Sequence, residues 1–441
     1  MPNTRSTTSA SPPQSGPAAG RATRRVVIYG INYAPEIAGV GRYTGDIGSY
    51  LAELGHEVTV VTAPPHYPGW RVQAGRSARG WRSETVQGAR VIRCPLYLNP
   101  DMRGMRRLLA PLSFALSSAP AALWTILRGR PDVVIAVEPT LFVAPVAVFA
   151  ARLAGARAVL HVQDLEVEAA FAVGHLAAGG WLSRLARAFD HWAARRFDRI
   201  ITISERMAER IRSKGVAADR VEVVRNWVDL GKVRPDLDGT GYRRELGLRP
   251  DQYVVLYSGN LGAKQGVRVL TEAAARLAHR GDIVFVVAGE GPMRGELEAI
   301  APSLPNLRLL PLQPEDRFGA FLASADLHVL PQERNAADLL LPSKLGGMLA
   351  SGRPILVTAD PGTELADFLG DSCAFSPPGD ADALAAAIVR QAAQPPCPRQ
   401  RAERLRRADL LSRTRGIQSF TQAALFLQAP AQPTTRRRKA A

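Results

Sequence analysis

Arg25-Val-Val-Ile-Tyr-Gly-Ile-Asn-Tyr-Ala-Pro-Glu-Ile-Ala-Gly39-Val-Gly41-Arg-Tyr-Thr-Gly45 is the stretch whose reading decides the fold. It runs from a continuous apolar segment of strand length through a glycine-bearing loop into an amphipathic segment that ends at Leu51-Ala-Glu-Leu-Gly. His56-Glu-Val-Thr-Val-Val-Thr follows as a second apolar run. A strand that is apolar at every position suits a parallel sheet covered on both faces, and strand, helix, strand in that order requires a right-handed crossover. The start is Rossmann-like.

The same alternation continues outward through Asp132-Val-Val-Ile-Ala-Val, Ala158-Val-Leu-His-Val and Arg199-Ile-Ile-Thr-Ile-Ser, so residues 24–228 read as one α/β domain. A polar stretch with Gly and Pro, residues 229–250, reads as a linker with one short helix. The pattern then restarts in Tyr253-Val-Val-Leu-Tyr-Ser-Gly and Asp282-Ile-Val-Phe-Val-Val-Ala-Gly. It recurs in Leu307-Arg-Leu-Leu-Pro-Leu, Leu327-His-Val-Leu-Pro and Pro354-Ile-Leu-Val-Thr, giving a second doubly wound domain over residues 251–398. Terminal helices are expected over 399–428 and a basic disordered tail over 429–441.

With 441 residues, 46% hydrophobic and 22% charged, the chain can bury two cores. Half of the net charge of +16 sits in the ends, on Arg5, Arg21, Arg24 and Arg25 and on the run Arg436 to Lys439. The moderately basic body suits anionic small ligands or a lipid surface and weakens a nucleic-acid reading. Cys94, Cys373 and Cys397 have neither disulfide-framework nor zinc spacing, so a reducing, cytoplasmic setting is expected. Residues 1–23 lack the apolar core of a secretory signal and read as a disordered leader. The most apolar stretch, Leu141 to Leu153, is too short to span a bilayer, so no transmembrane helix is expected.

Ligands in doubly wound sheets bind beyond the C-terminal ends of the strands. Gly39, Gly41 and Gly45 follow the first strand there, and their amides suit a phosphate or developing anion; the alternative is a plain tight turn. The spacing G-x-G-x-x-x-G, with Thr62-Ala-Pro-Pro after the second strand, does not fit a dinucleotide-binding fingerprint. In the second half Lys264 stands beside the Gly259-Asn260 loop, and Ser343 and Lys344 open a helix, an arrangement of cations suited to a departing diphosphate. An exposed loop lysine is the alternative for Lys264. Near a strand end, His161 precedes Asp164 and Glu166; the histidine is either oriented by these carboxylates or a core polar group, and the acids are either functional or helix caps. Arg103, Arg106 and Arg107 head a segment rich in Leu, Phe and Trp that is either a core helix or a surface for an anionic membrane. Asp236-Leu-Asp238 falls in the linker, so its carboxylates read as solvated and no metal site is expected.

From residue 25 to about 395 the chain resembles the family-four retaining glycosyltransferases of the GT-B fold, and most closely the bacterial exopolysaccharide enzymes of colanic acid synthesis. The resemblance is carried by Tyr29-Gly-Ile-Asn-Tyr-Ala-Pro-Glu with Gly39 and Gly41, by Gly55-His-Glu-Val, by Thr62-Ala-Pro-Pro-His-Tyr-Pro and by Arg93-Cys-Pro-Leu-Tyr. It continues in His161-Val-Gln-Asp-Leu-Glu, Tyr257-Ser-Gly-Asn-Leu-Gly-Ala-Lys-Gln-Gly and Ala336-Ala-Asp-Leu-Leu-Leu-Pro-Ser-Lys-Leu. It implies two Rossmann-like domains facing a cleft, with a nucleotide-sugar donor on the C-terminal domain and a saccharide acceptor on the N-terminal one. It also implies that Lys264 and Lys344 hold the diphosphate, that Asn260 stands where many relatives place an arginine, and that His161 faces the donor sugar. Leu339 and Gly347 occupy positions where many relatives carry two glutamates, so sugar and ribose contacts must come from elsewhere, with Glu290, Asp338 and Glu364 as candidates.

The activity implied is retaining transfer of a sugar from a nucleotide diphosphate to a saccharide, expected to be polyprenyl-diphosphate-linked, at the inner membrane face without a cofactor. Two other readings stay open: a sugar-nucleotide epimerase or hydrolase of the same architecture, and a non-catalytic sugar-nucleotide-binding regulator.

Overall fold

The computed structural model describes residues 22–36, 39–67, 69–73, 75–99, 108–172, 180–262, 265–334 and 341–426. The first half carries strands β1 (Arg25–Tyr29), β2 (Glu57–Thr62), β3 (Arg82–Val86), β4 (Ala89–Arg93), β5 (Val133–Glu138), β6 (Arg157–Val162), β7 (Arg199–Thr202) and β8 (Val221–Val223). Their helices are α1 (Gly39–Glu53), α2 (Leu109–Gly129), α3 (Ala144–Ala154), α4 (Glu166–Ala172), α5 (Trp181–Arg196) and α6 (Glu205–Ser213). The sheet order is β3-β4-β2-β1-β5-β6-β7-β8, parallel except for β3 against β4. All six residues of β5 are buried, as expected of a strand covered on both faces.

The second half holds α7 (Thr240–Glu245), β9 (Tyr253–Ser258), α8 (Val267–Arg276), β10 (Ile283–Ala288), α9 (Arg294–Ile300), β11 (Leu307–Leu310), α10 (Phe318–Ala323) and β12 (Leu327–Leu330). It continues with α11 (Lys344–Ala350), β13 (Ile355–Thr358), α12 (Glu364–Leu369), β14 (Ala374–Ser376), α13 (Ala381–Ala393), α14 (Pro398–Leu410) and α15 (Arg413–Leu425). Its sheet is wholly parallel, in the order β11-β10-β9-β12-β13-β14. Two Rossmann-like α/β domains result.

Four features depart from the expectations. The 229–250 segment is no free linker: Val233, Tyr242 and Leu248 are buried in the core of the second domain, where α7 meets α10. The terminal helices split between domains. α14 packs on α11, whereas α15 crosses back and buries Ile417, Phe420 and Leu425 against the first sheet. Gly416 permits that crossing, since a Cβ there would come within 2.5 Å of the Trp227 ring. An antiparallel hairpin, β3–β4, forms one edge of the first sheet. It turns at Gln87 (φ 49°) and Gly88 (φ 82°), the left-handed pair that a two-residue hairpin loop demands.

The fourth departure is α2, whose 21 residues are long and apolar enough to cross a membrane by length and composition, unlike the shorter Leu141 stretch that drew attention in the sequence. Phe114, Ala122 and Ile126 bury one face of α2 in the domain core, while Leu116, at 69% exposure, and Trp124, at 68%, lie on the other.

Candidate functional site

The C-terminal edges of the two sheets meet at Glu364. Its carboxylate, on the first residue of α12, accepts the backbone N–H of Glu205 at 3.1 Å and of Arg206 at 2.9 Å, the opening amides of α6 in the other domain. Arg225 Nη2 lies 3.2 Å from the same carboxylate, and Arg206 Nη2 donates to the Gly362 carbonyl. Glu364, expected to contact sugar or ribose, is instead buried and fully engaged as an interdomain tie. Helix starts leave N–H groups without intrahelical acceptors, and a carboxylate there is favoured by both hydrogen bonding and the helix dipole.

On the second domain, β9 and β10 end in loops that approach closely through glycine. A Cβ on Gly289 (φ 153°) would fall 1.8 Å from the Gly259 carbonyl oxygen, and one on Gly291 (φ 154°) 2.5 Å from Asn260 Oδ1. Over this junction stands Lys344. Its Nζ donates to Tyr257 Oη at 2.7 Å and sits 4.2 Å from the centre of the Tyr257 ring, while Tyr257 Oη donates to the Asn260 carbonyl at 2.6 Å. A Cβ on Gly259 would approach the amine to 3.0 Å. Among the described residues Lys344 pairs with no carboxylate, and burial pushes its amine down to about 7. An amine so placed gains its charge most readily when an anion arrives. Ser343, just before Lys344, is exposed. Glu290 projects from the β10 loop with 59% of its side chain exposed and Arg294 3.7 Å away. Lys264 and Asp338 lie outside the described residues, as do Arg103, Arg106 and Arg107.

On the first domain, Gly39 (φ 62°) and Gly41 make room for protein groups: a Cβ on the former would meet the Tyr67 ring and one on the latter the Glu36 carboxylate. Glu36 is buried. Its Oε1 accepts the His66 and Tyr67 amides at 3.0 and 3.1 Å, and Oε2 accepts Asn32 Nδ2 at 2.9 Å. The close approach expected for phosphate is therefore taken up by a carboxylate that fastens the loop after β2 to the glycine loop.

His161 is not at the open edge. It lies on the sheet face covered by α15, with ring centres 4.7 Å from Phe420, and is 1% exposed. Its Nε2 is 3.0 Å from Gln163 Nε2, which can only donate, so Nε2 accepts and the proton resides on Nδ1, a buried atom without a partner among the described residues. Burial pushes the imidazole down to about 3, as befits the core polar group that was one of the two readings. Period-two alternation explains the correction: His161 shares its face with Val159, which α15 covers from the far end of the chain.

Asp164, three residues on, is exposed beyond β6. Glu166 is partly buried; its Oε2 accepts the Leu141 amide at 2.7 Å, and its own N–H donates to Glu138 Oε1 at 3.0 Å. Burial pushes Glu166 up to about 7, with the Asp164 charge adding to the rise and the Leu141 amide opposing it. Glu138, which ends β5, is held well above the ordinary carboxylate range by burial first and by the Glu166 charge second. The sequence reading missed both Glu138 and Glu36. For Glu138 the available signal was an acid closing an otherwise wholly apolar strand at the ligand-bearing edge.

Asp236 lies 3.6 Å from Arg234, and Asp238 accepts from the Thr240 amide and hydroxyl, so both linker carboxylates have local partners. Among the described residues no group of three or more His, Cys, Asp or Glu is placed to hold a metal.

Comparison with known proteins matches residues 38–227 to the glycosyl transferase 4-like domain and residues 252–394 to the glycosyl transferases group 1 domain. The chain is 40% identical over 382 residues, 83% of its length and 92% of the relative's, to the colanic acid biosynthesis glycosyl transferase WcaI of Escherichia coli (strain K12). Its fold is similar to sucrose-phosphate synthase from Thermosynechococcus elongatus, with a TM-score of 0.69 at 16% identity over 90% of this chain and 98% of that one. Anabaena HepE, solved with UDP and glucose, matches with a TM-score of 0.63 at 15% identity over the same shares. Two Rossmann-like domains meeting at their C-terminal edges, a carboxylate-free lysine at a glycine-lined loop and these matches across both halves have one reading: the chain belongs to the GT-B glycosyltransferases, as a WcaI-like enzyme of polysaccharide biosynthesis.

Proposed function

We propose that this glycosyltransferase moves a sugar, with retention at the anomeric carbon, from a nucleotide-diphosphate donor to a polyprenyl-diphosphate-linked saccharide. The observation that carries the reading is Lys344, a partly buried amine over Tyr257 and Gly259 that among the described residues has no carboxylate to neutralise it. The anomeric C–O bond to the diphosphate breaks, the acceptor oxygen bonds to the same face of the sugar, and the acceptor proton passes to the departing phosphate oxygen. Charge grows on that oxygen in the transition state, where a preorganised cation contributes most. Asp164 and the Glu166–Glu138 pair stand on the acceptor side, Asp164 open to the acceptor and the other two holding its loop. Lys264, Ser343, Asn260 and the Gly259 backbone complete the donor end in this reading. HepE was solved with UDP-glucose, which makes UDP-sugars the first donors to assay. A panel of nucleotide sugars, scored by thermal stabilisation and then by acceptor-dependent nucleotide release, tests the assignment; release without acceptor supports a hydrolase, and binding without turnover a regulator.

Turnover is expected to survive EDTA, because Lys344 supplies the charge that a divalent cation would otherwise bring to the diphosphate. Loss of activity in EDTA, restored by magnesium or manganese, contradicts this.

The same reading sets the first domain on the inner face of the cell membrane. α2 packs against α3 and α3 against α5, and the three expose Leu116, Trp124, Phe149, Leu153, Trp181 and Leu185 among Arg128, Arg152, Arg184 and Arg187. Apolar and aromatic side chains interleaved with arginine suit an anionic interface. Leu116→Asp with Trp124→Asp, both at exposed positions, is expected to abolish pelleting with vesicles containing anionic lipid, and salt to weaken pelleting of the wild type. Equal pelleting of variant and wild type would remove the membrane from the account.

A further inference from the structure

A pocket of about 730 Å³ opens beside α2, within the roughly 300–1,000 Å³ range of small-molecule sites. Its walls are the segment after β2, with Trp70, Arg71 and Val72, the segment after β4, with Tyr97 and Leu98, and Arg79 at the rim. Both segments leave the C-terminal ends of their strands, so the pocket lies along the same sheet edge as Asp164.

The pocket is a built feature. Ser113 Oγ accepts the Tyr97 amide at 3.0 Å, and Ser117 Oγ donates to the Pro95 carbonyl, so two hydroxyls of α2 stitch the β4 segment to the helix. On the opposite wall Glu36 fixes the His66 and Tyr67 amides, and Trp70 follows in the left-handed region at φ 52°, an uncommon conformation for a bulky residue. Along α2 the pocket-lining Ser113 and Ser117 share a face with the exposed Leu109 and Leu116, so the pocket opens onto the apolar stripe of that helix.

Its chemistry has two parts. Trp70, Val72, Tyr97 and Leu98 offer apolar surface. Arg71 and Arg79 are exposed at the rim, and among the described residues neither has a carboxylate partner, nor does any acid line the pocket. An apolar wall edged by uncompensated arginines fits a ligand with an anionic head and an apolar tail, since a planar guanidinium binds phosphate oxygens in a paired geometry.

We infer that this pocket seats the diphosphate and the first isoprene units of the lipid-linked acceptor, with Arg71 and Arg79 on the diphosphate and Trp70, Val72, Tyr97 and Leu98 over the prenyl chain. The inference rests on the reading of a polyprenyl-diphosphate-linked acceptor given above, and it adds a consequence. From β4 to β6 the sheet order passes through β2, β1 and β5, four strand spacings or about 19 Å. A diphosphate held beside β4 reaches the edge beyond β6 only through intervening sugar, so the acceptor is an already started saccharide.

Calorimetric titration of the full chain with farnesyl diphosphate, inorganic diphosphate and farnesol tests the assignment. Farnesyl diphosphate is expected to bind at least about tenfold more tightly than either part alone. Arg71→Ala with Arg79→Ala is expected to weaken it about tenfold or more, and Val72→Asp to reduce it to the level of inorganic diphosphate. Unchanged thermal melting serves as the fold control. Farnesyl diphosphate that binds no better than inorganic diphosphate, or equally well to both variants, overturns the inference. So does an increase in KM for a soluble oligosaccharide in the variants without any change for farnesyl diphosphate, since the pocket would then be a sugar seat. The underlying reading of a lipid-linked acceptor fails separately, if the wild type transfers to a soluble saccharide as fast as to its lipid-linked form.

Discussion

Lys344→Ala is expected to lower turnover by about two to three orders of magnitude while the protein stays folded, because it removes a preorganised cation from the oxygen on which charge develops. The amine hydrogen-bonds only to Tyr257 Oη among the described residues, so its loss leaves no carboxylate stranded in the core. The same substitution should alter protonation. Burial holds the Lys344 amine down to about 7 against an ordinary value of 10.5, so between these values the folded chain binds fewer protons than the unfolded one. Stability therefore rises with pH across that window, and below about 7 the full cost of charging the amine is present. An arriving diphosphate favours the charged form, so nucleoside diphosphate binding near pH 8 should take up a proton. Calorimetry in buffers of differing ionisation enthalpy measures that uptake, and Lys344→Ala should abolish it. Wild-type turnover in a folded Lys344→Ala protein, with proton uptake intact, would place the diphosphate elsewhere.

Glu364→Ala is expected to loosen the junction between the two domains. The change removes the acceptor of the Glu205 and Arg206 amides at the start of α6 and unpairs Arg225; these donors are only partly buried, so water replaces part of what is lost and about 1–3 kcal/mol in total is expected. Ser204 Oγ still accepts the Met207 amide, so α6 itself remains capped. Nucleoside diphosphate affinity should hold, because Lys344 and Tyr257 both belong to the second domain, whereas turnover should fall with the loss of fixed interdomain geometry. Glu364→Gln retains one acceptor oxygen and should lie between wild type and alanine. Chemical denaturation, nucleotide titration and a rate assay separate these effects. An unchanged unfolding midpoint in Glu364→Ala would show the tie to be energetically idle, and a loss of nucleotide affinity alone would return Glu364 to the donor site.

The fold was legible because parallel strands buried on both faces leave an unmistakable mark: β1, β5, β9 and β10 are apolar runs without alternation, each followed by a loop. Lys344 was legible for a related reason, since a lysine after Pro-Ser at the head of an apolar helix lies at the ligand-bearing edge. The misread residues depend on partners remote in sequence. Which face His161 takes is decided by α15, about 260 residues downstream, and Glu364 finds the amides of α6 159 residues upstream. Glu36 is bound to amides 30 and 31 residues away, which no local pattern encodes. The β3–β4 hairpin escaped because its turn is Gln87-Gly88, without the Asn-Gly or Asp-Gly that usually marks a two-residue loop. The apolar face of α2 was visible as composition, but the division between buried Phe114 and exposed Leu116 required the packing of α3.

Transfer of label from a nucleotide sugar to a lipid-linked saccharide tests the central claim most directly. The purified chain, a donor labelled in its sugar and a membrane lipid extract as acceptor source should yield label in the organic phase and nucleoside diphosphate in equal amounts. Both should depend on acceptor, and both should collapse in Lys344→Ala. Nucleoside diphosphate released at the same rate without acceptor, or a changed sugar recovered still attached to its nucleotide, would contradict transfer.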